Sequence, residues 1–564
     1  MMYKVLNGLW DFTVDLDPKY HTHPVYADPG WDRRHWQKVP VPGVWNKYAE
    51  RLDIYEGVCW FAREFNIDSL PDNPIAILRF GGINYKCRVF LNGIYINEHE
   101  GGYTEFTIDV SDEIKLGENC LVIEVDNRST QIKMPPCLGY FNYGGIHRDV
   151  TLEIHQGRCC LKDIFIDAVP GVSGGLIRVT GRIVGCNRCG AIKVSCNGSD
   201  LITELGTKRS FDVALEVPNI SLWSPGSPNL YDASVQLICN CDVIYETSLM
   251  VGFRSIGAED GKLILNGEPI FLKGVCYLYD SPAYGVTMNP DQYLKDISLF
   301  KELGVNAIRS HFPFTTEFYN ACDEAGIMVW IETPIYCIYP PDDKENTEFS
   351  DPGFRELANT MIEEMVIHAR SHPCVIIYGL GNECNMQNPE ARPFFQELSE
   401  NIKQLDSTRL ISYASLYCNV GPMADMVDIL GFNEYWGWYD RIDQRDTSEK
   451  TKPIDLKVLD NKIDEIKLHG KPLLITEFGA DSIPGYLSNS CEFWSEDYQA
   501  ELIRETFSII KSKDISGAFP FCFTDYRDPS KPVNGYWNGM NYKGLLTYQR
   551  QAKMAFNTLR EIYK

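Results

Sequence analysis

The sequence predicts a multidomain chain: an N-terminal jelly-roll-like β-sandwich, an immunoglobulin-like β-sandwich and a C-terminal (β/α)8 TIM barrel. Three observations carry that expectation. At 564 residues the chain is too long for one ordinary domain. Its first half alternates apolar and polar residues with a period of two, between turn signals. After about residue 256 the pattern changes to apolar runs separated by amphipathic helical stretches, the grammar of βα units.

Residues 1–155 hold strand candidates such as AILRFGGI (76–83), CRVFLNGIYI (87–96), NCLVIEVDN (119–127) and DVTLEIHQG (149–157), enough for a sandwich. Residues 156–255 supply a second set, including LIRVTGRIVG (176–185), YDASVQLIC (231–239) and YETSLMVGF (245–253). Residues 256–564 contain eight apolar runs: IFLKGVC, VNAIRSH, MVWIET, CVIIYGLGNE, RLISYAS, VDILGFNEY, PLLITEFG and GAFPFCF. Eight is the number that closes a barrel. A doubly wound open sheet would need a Gly-rich phosphate loop after a strand, and none is present.

Composition excludes several function classes. The formal net charge of −24 disfavours nucleic acid and anionic membrane as partners, because both select basic surfaces. No stretch of about 18 apolar residues occurs, so no membrane span is expected. The opening MMYKVLNGLWDF lacks a basic start followed by an apolar run, which predicts a cytoplasmic location. The 19 cysteines form no framework and are expected to be reduced, and Cys186-x-x-Cys189 has no second ligand pair for zinc.

Catalytic groups of such barrels sit at the C-terminal ends of strands. Glu383 ends the fourth run and Glu477 lies near the end of the seventh, each after residues too apolar for surface. Glu332 closes the third run in the same way and is placed to orient Arg309. Ionised carboxylates in such positions are costly unless paired or functional. Two of them suit glycoside hydrolysis, in which a protonated carboxyl serves the leaving oxygen and an ionised one attacks the anomeric carbon.

Asn382-Glu383 and ITEFG resemble the strand-four and strand-seven motifs of glycoside hydrolase family two. GVNAIRSHFPF (304–314) is similar to its strand-two signature, and NYGGIHRDV (142–150) and LNGLWDF to its sandwich motifs. Asn541-Tyr542-Lys543 and FNEYWGWYD (432–440) are most similar to the β-glucuronidases of that family.

The resemblance implies retaining exo-hydrolysis of β-D-glucuronides, with Glu383 as acid/base and Glu477 as nucleophile. Asn541 and Lys543 would hold the sugar carboxylate, which also meets the need of an acidic protein for a local cationic clamp. Asn382 would contact the 2-hydroxyl, Tyr435 would hydrogen-bond the nucleophile, and Asn433 and Tyr439 would line the pocket. Arg309 and His311 would support the carboxylates from strand two. No metal or redox cofactor is implied. Small glucuronide conjugates or oligosaccharide ends are the implied substrates, and relatives suggest a homotetramer or other homo-oligomer.

The chain departs from the family pattern at several places. Gly139 replaces an Asp, Trp537 an Arg, Phe521 a Trp, and Leu278-Tyr279 a His-Glu, although Asp280 keeps its place. These changes bear on the hydroxyl positions, C4 above all, leaving a β-D-galacturonidase or a dual uronidase as the alternative and a β-galactosidase of the same family as a more distant one. The polar segment 336–351 is expected to be a loop over the barrel mouth.

Overall fold

A computed structural model describes residues 2–564 except 16–23, 130–132, 137–138, 156–158, 186–189, 240, 340–347, 440–453 and 534–535. Cys186-x-x-Cys189 and the middle of the 336–351 loop therefore lie outside the described residues.

The first sandwich packs a four-stranded sheet against a six-stranded one. The smaller sheet runs Met2–Val5, Val150–His155, Ile75–Phe80, Phe106–Asp109, so the first and last strands of the unit pair and close it. Trp10, Phe61, Leu78, Val89 and Ile123 fill the space between the sheets. The run CRVFLNGIYI is two strands rather than one, Lys86–Leu91 and Ile94–Glu100, paired as a hairpin. Asn92 and Gly93 both take positive φ, +54° and +85°, as the two central residues of a tight hairpin turn require.

The second sandwich joins a three-stranded sheet to a four-stranded one. Its alternation is regular, and Ser210–Pro218 buries every second residue. Apolar side chains from both sheets, including Ile177, Val194, Val213 and Val235, form its core with Phe253, just past the last strand. Cys159 is disulfide-bonded, against the expectation of reduced thiols.

Eight parallel strands then close a barrel: β1 Leu272–Cys276, β2 Ala307–Ser310, β3 Met328–Glu332, β4 Val375–Asn382, β5 Leu410–Leu416, β6 Ile429–Asn433, β7 Leu473–Phe478 and β8 Gly517–Pro520. β8 pairs back to β1 through Leu272 and Gly517. All eight residues of β4 are buried, the signature of a strand covered on both faces. Outer helices include α1 Pro290–Leu303, α2 Thr316–Ala325, α3 Pro352–Ala369 and, later, α4 Glu496–Lys513 and α5 Met554–Tyr563. Thr315, Asp351 and Ser495 cap three of them, each accepting a backbone N–H from the first turn. Among the described residues no helix is long and apolar enough to cross a membrane.

The sandwiches are fastened to the barrel by buried polar contacts. The Arg254 guanidinium donates to the carbonyls of Pro373 and Val375 at 2.9 and 2.7 Å, and the Trp223 indole to that of Asp323 at 2.8 Å. Arg527 pairs with Asp53 of the first sandwich at 2.7 Å and stacks on Phe141. These contacts bring the Tyr140–Tyr143 segment of the first sandwich to the C-terminal mouth of the barrel.

Candidate active site

The floor of the barrel mouth is organised by one arginine. Arg309, at the end of β2, is almost fully buried and binds Glu332 through Nε at 2.7 Å and a terminal nitrogen at 3.1 Å. That second nitrogen also donates to Asn382 Oδ1 at 2.8 Å, and the other terminal nitrogen donates to Glu477 Oε1 at 2.8 Å. Burial opposes its charge, but Glu332 and Glu477 outweigh that and hold the guanidinium above its ordinary range. Burial likewise opposes ionisation of Glu332, yet Arg309 and His311 keep its carboxyl below the usual value. Gly379 makes room for this pair, since a Cβ there would fall 2.2 Å from the Glu332 side chain.

Glu477 receives a second hydrogen bond on its other oxygen, from the Tyr435 hydroxyl at 2.7 Å. His311 bridges Glu332 and Glu477, with Nδ1 2.7 Å from the former and Nε2 3.5 Å from the latter. Glu477 thus has a donor on each carboxyl oxygen, Arg309 on one and Tyr435 on the other.

Glu383 meets a different environment. It follows β4 with φ of +50°, a strained left-handed position for a residue with a side chain. Burial and the nearby Glu477 charge push its carboxyl up to about 7, against the opposing hydrogen bond from Asn433. Asn433 Nδ2 donates to Glu383 Oε1 at 2.6 Å and to Asn382 Oδ1 at 2.9 Å. Its own oxygen accepts from the Thr476 hydroxyl at 2.6 Å. Asn433 is read from the sequence as lining the sugar pocket. It is instead fully buried with every polar atom bonded to protein, and it braces Glu383 from below. Asn382 has its oxygen occupied by Arg309 and Asn433, which leaves its amide N–H groups as the donors for a ligand.

The expected clamp lies beside these groups. Lys543 is 1 % exposed and donates to Asp481 Oδ2 at 2.8 Å and to the Tyr439 hydroxyl at 2.7 Å. Burial works against its charge, but Asp481 prevails and holds the ammonium above its ordinary range. Asp481 also accepts the backbone N–H of Tyr542 at 2.8 Å, so it fixes the loop as well as the lysine. Asn541 donates to the Tyr526 hydroxyl at 3.0 Å. Tyr439 packs against Tyr435 with ring centroids 4.9 Å apart, which carries the clamp to the donor on Glu477.

The remaining wall comes partly from the first sandwich. Tyr140 stacks on Tyr526 at 5.5 Å and meets His311 edge-on at 5.7 Å. Gly139 just before it has no side chain and takes φ of +77°. Asp280, expected at the sugar, has both oxygens occupied by protein: Tyr143 and Tyr548 hydroxyls on one, the Arg527 backbone N–H on the other. It ties sandwich to barrel. Trp537 is half-buried against Trp494, with ring centroids 4.9 Å apart. Thr476, Asp481, Tyr140 and Lys531 are site groups that sequence reasoning missed. Asp481 and Thr476 adjoin Glu477 in ITEFGAD, the only local signal they offered.

Two sandwiches followed by a barrel whose mouth holds opposed carboxyl environments define a glycoside hydrolase. The chain belongs to glycoside hydrolase family 2. The family model "Glycosyl hydrolases family 2, TIM barrel domain" matches residues 256–564, more than half of the chain. The family's sugar binding domain matches 3–155, and its central domain 177–254. A β-glucuronidase of Paenibacillus borealis is 27% identical over 99% of this chain and 96% of its own. The structure of a β-galacturonidase from Eisenbergiella tayi bound to galacturonate superposes with a TM-score of 0.85 at 27% identity, covering 100% of this chain and 97% of that one. The Ruminococcus gnavus β-glucuronidase shares the fold with a TM-score of 0.88 at 24% identity, covering 100% and 97%.

Proposed function

We propose that this enzyme is a retaining exo-β-D-glucuronidase, acting on small glucuronide conjugates or oligosaccharide ends as a cytoplasmic homo-oligomer. The observation that carries the reading is the buried Lys543 at the barrel mouth, linked through Tyr439 and Tyr435 to Glu477. An ammonium with donors aimed into the mouth suits a carboxylate, for which a neutral hexose has no counterpart. The curated β-glucuronidases that match along nearly the whole chain support the same substrate class.

In this mechanism Lys543 and Asn541 anchor the uronate, and Asn382 donates to the 2-hydroxyl. Glu383, protonated because burial and Glu477 raise its pKa, gives its proton to the departing oxygen. Glu477, hydrogen-bonded by Arg309 and Tyr435, attacks the anomeric carbon as a carboxylate and forms an ester. Glu383 then takes a proton from water as that water attacks the same carbon, which releases glucuronic acid and restores both carboxyls.

A second reading, β-D-galacturonide hydrolysis, is favoured by the bare Gly139 backbone and the Tyr140 ring at the wall, and by the likeness to the Eisenbergiella tayi enzyme. A panel of nitrophenyl β-glucuronide, β-galacturonide, β-galactoside and β-mannoside tests both readings. The expected result is the highest kcat/KM on the glucuronide. Faster turnover of either neutral glycoside than of both uronides would overturn the uronidase assignment. Proton NMR of the first-formed product is expected to show the β-anomer.

A further inference from the structure

Charge balance in the clamp raises a question that Lys543 alone does not answer. Lys543 and Asp481 form a buried pair whose formal charges cancel. A uronate carboxylate brought against that pair adds a negative charge with nothing left over to match it. Burying a charge without net compensation is costly.

Lys531 supplies the missing charge. Its Nζ lies 3.3 Å from the Tyr439 hydroxyl, the same oxygen that Lys543 reaches at 2.7 Å. The two ammonium groups therefore share one phenol. Lys531 also lies over the rings of Trp537 and Tyr439, 5.1 and 5.3 Å from their centroids. Among the described residues Lys531 has no carboxylate within 4.0 Å, in contrast to Lys543. It is held in place by its backbone: its N–H donates to the Asp528 carbonyl at 3.1 Å, and Asp528 in turn accepts from Ser530 and donates to Gly539. With both lysines donating to the Tyr439 oxygen, that hydroxyl keeps its own proton to offer outward.

We infer that Lys531 is the residue that gives the clamp around Tyr439 a net positive charge and its selectivity for a carboxylate at C6, while the Lys543–Asp481 pair mainly positions the donors. The inference rests on the uronidase reading and assigns the anion-matching role within it to a particular side chain. It also gives Trp537 a function, as the platform under the Lys531 ammonium.

The experiment compares nitrophenyl β-D-glucuronide with its uncharged methyl ester in wild type, Lys531→Met and Lys531→Arg. The ratio of kcat/KM for acid over ester reads charge recognition and cancels losses common to both. Lys531→Met is expected to lower that ratio about 10- to 100-fold, the range of a charge-assisted hydrogen bond. Lys531→Arg, which keeps the charge, is expected to restore most of it. An unchanged ratio in Lys531→Met, or an equal loss in both variants, overturns the assignment while leaving uronide hydrolysis standing. A wild-type enzyme that shows no preference for the acid overturns the inference together with the uronidase reading.

Discussion

The Thr476 hydroxyl donates to the Asn433 side-chain oxygen at 2.6 Å, and this bond decides which end of the Asn433 amide faces Glu383. With the oxygen engaged on β7, the nitrogen must point to Glu383 and Asn382. A hydroxyl on one barrel strand thereby sets the protonation behaviour of a carboxyl beyond another.

Thr476→Val keeps the shape of the side chain and removes the donor. The buried Asn433 oxygen then lacks a partner, which should cost about 1–3 kcal/mol of stability. Denaturant unfolding measures that loss. Asn433 is also freed to flip, so kcat/KM is expected to fall roughly tenfold, the worth of one misplaced hydrogen bond. Wild-type rates in this variant would show that the amide orientation does not matter to catalysis.

The acid must be protonated to act, and Glu383 is pushed up to about 7. The rate should therefore hold at lower pH and decline as pH rises through neutrality, with the apparent pKa belonging to the coupled pair of carboxyls. Asn433 donates to the ionised form and lowers the Glu383 pKa, so Asn433→Ala should move the alkaline limb to higher pH. The same raised pKa means that Glu383 destabilises the fold as pH climbs from the ordinary carboxylate range through about 7. Glu383→Gln is accordingly expected to raise Tm more at pH 8 than at pH 5, measured by thermal melts at both.

Glu477→Ala should lose roughly 10⁴-fold or more in kcat with the fold intact, as removal of a nucleophile does. Azide offers a sharper readout. In Glu477→Ala it should attack the substrate directly and give the α-glycosyl azide. In Glu383→Ala it should intercept the ester and give the β-anomer. Identical anomers from the two variants would refute the division of roles.

Lys543→Ala removes one half of a buried ion pair and strands Asp481, a loss of about 3–5 kcal/mol of stability. Any drop in activity then mixes folding with binding. The double variant Lys543→Met with Asp481→Asn leaves no buried charge behind. It should melt closer to wild type than Lys543→Ala and still lose far more kcat/KM on glucuronides than on neutral glycosides. Equal losses on the two substrate classes would remove Lys543 from the clamp.

The barrel was legible in the sequence because its strands are covered on both faces and read as unbroken apolar runs. Glu332, Glu383 and Glu477 stood out because charge is rare at the end of such runs. The hairpin at Asn92-Gly93 was misread as one strand, since apolar residues continue straight across a turn that only backbone φ reveals. Pairing was less legible than placement. Lys543 was found by its motif, but its neutralisation by Asp481 depends on a loop and a strand end meeting in space. Lys531 sits in an irregular stretch with no periodicity to mark it, and Tyr140 belongs to a different folding unit from the carboxyls it adjoins. Asp280 and Asn433 lie near the mouth, yet their hydrogen-bonding capacity is spent on the protein, which only atomic geometry shows.

The stack of Tyr140 on Tyr526 joins the first sandwich to the barrel at the rim. Without the Tyr140–Tyr143 segment the mouth would keep its carboxyls and lysines but lose the ring that stands beside His311 and Tyr526. Preference among epimers can accordingly drift through changes in a segment that carries none of the reacting groups. Exchange of that one segment between relatives is a route to new substrates that leaves the catalytic scaffold untouched.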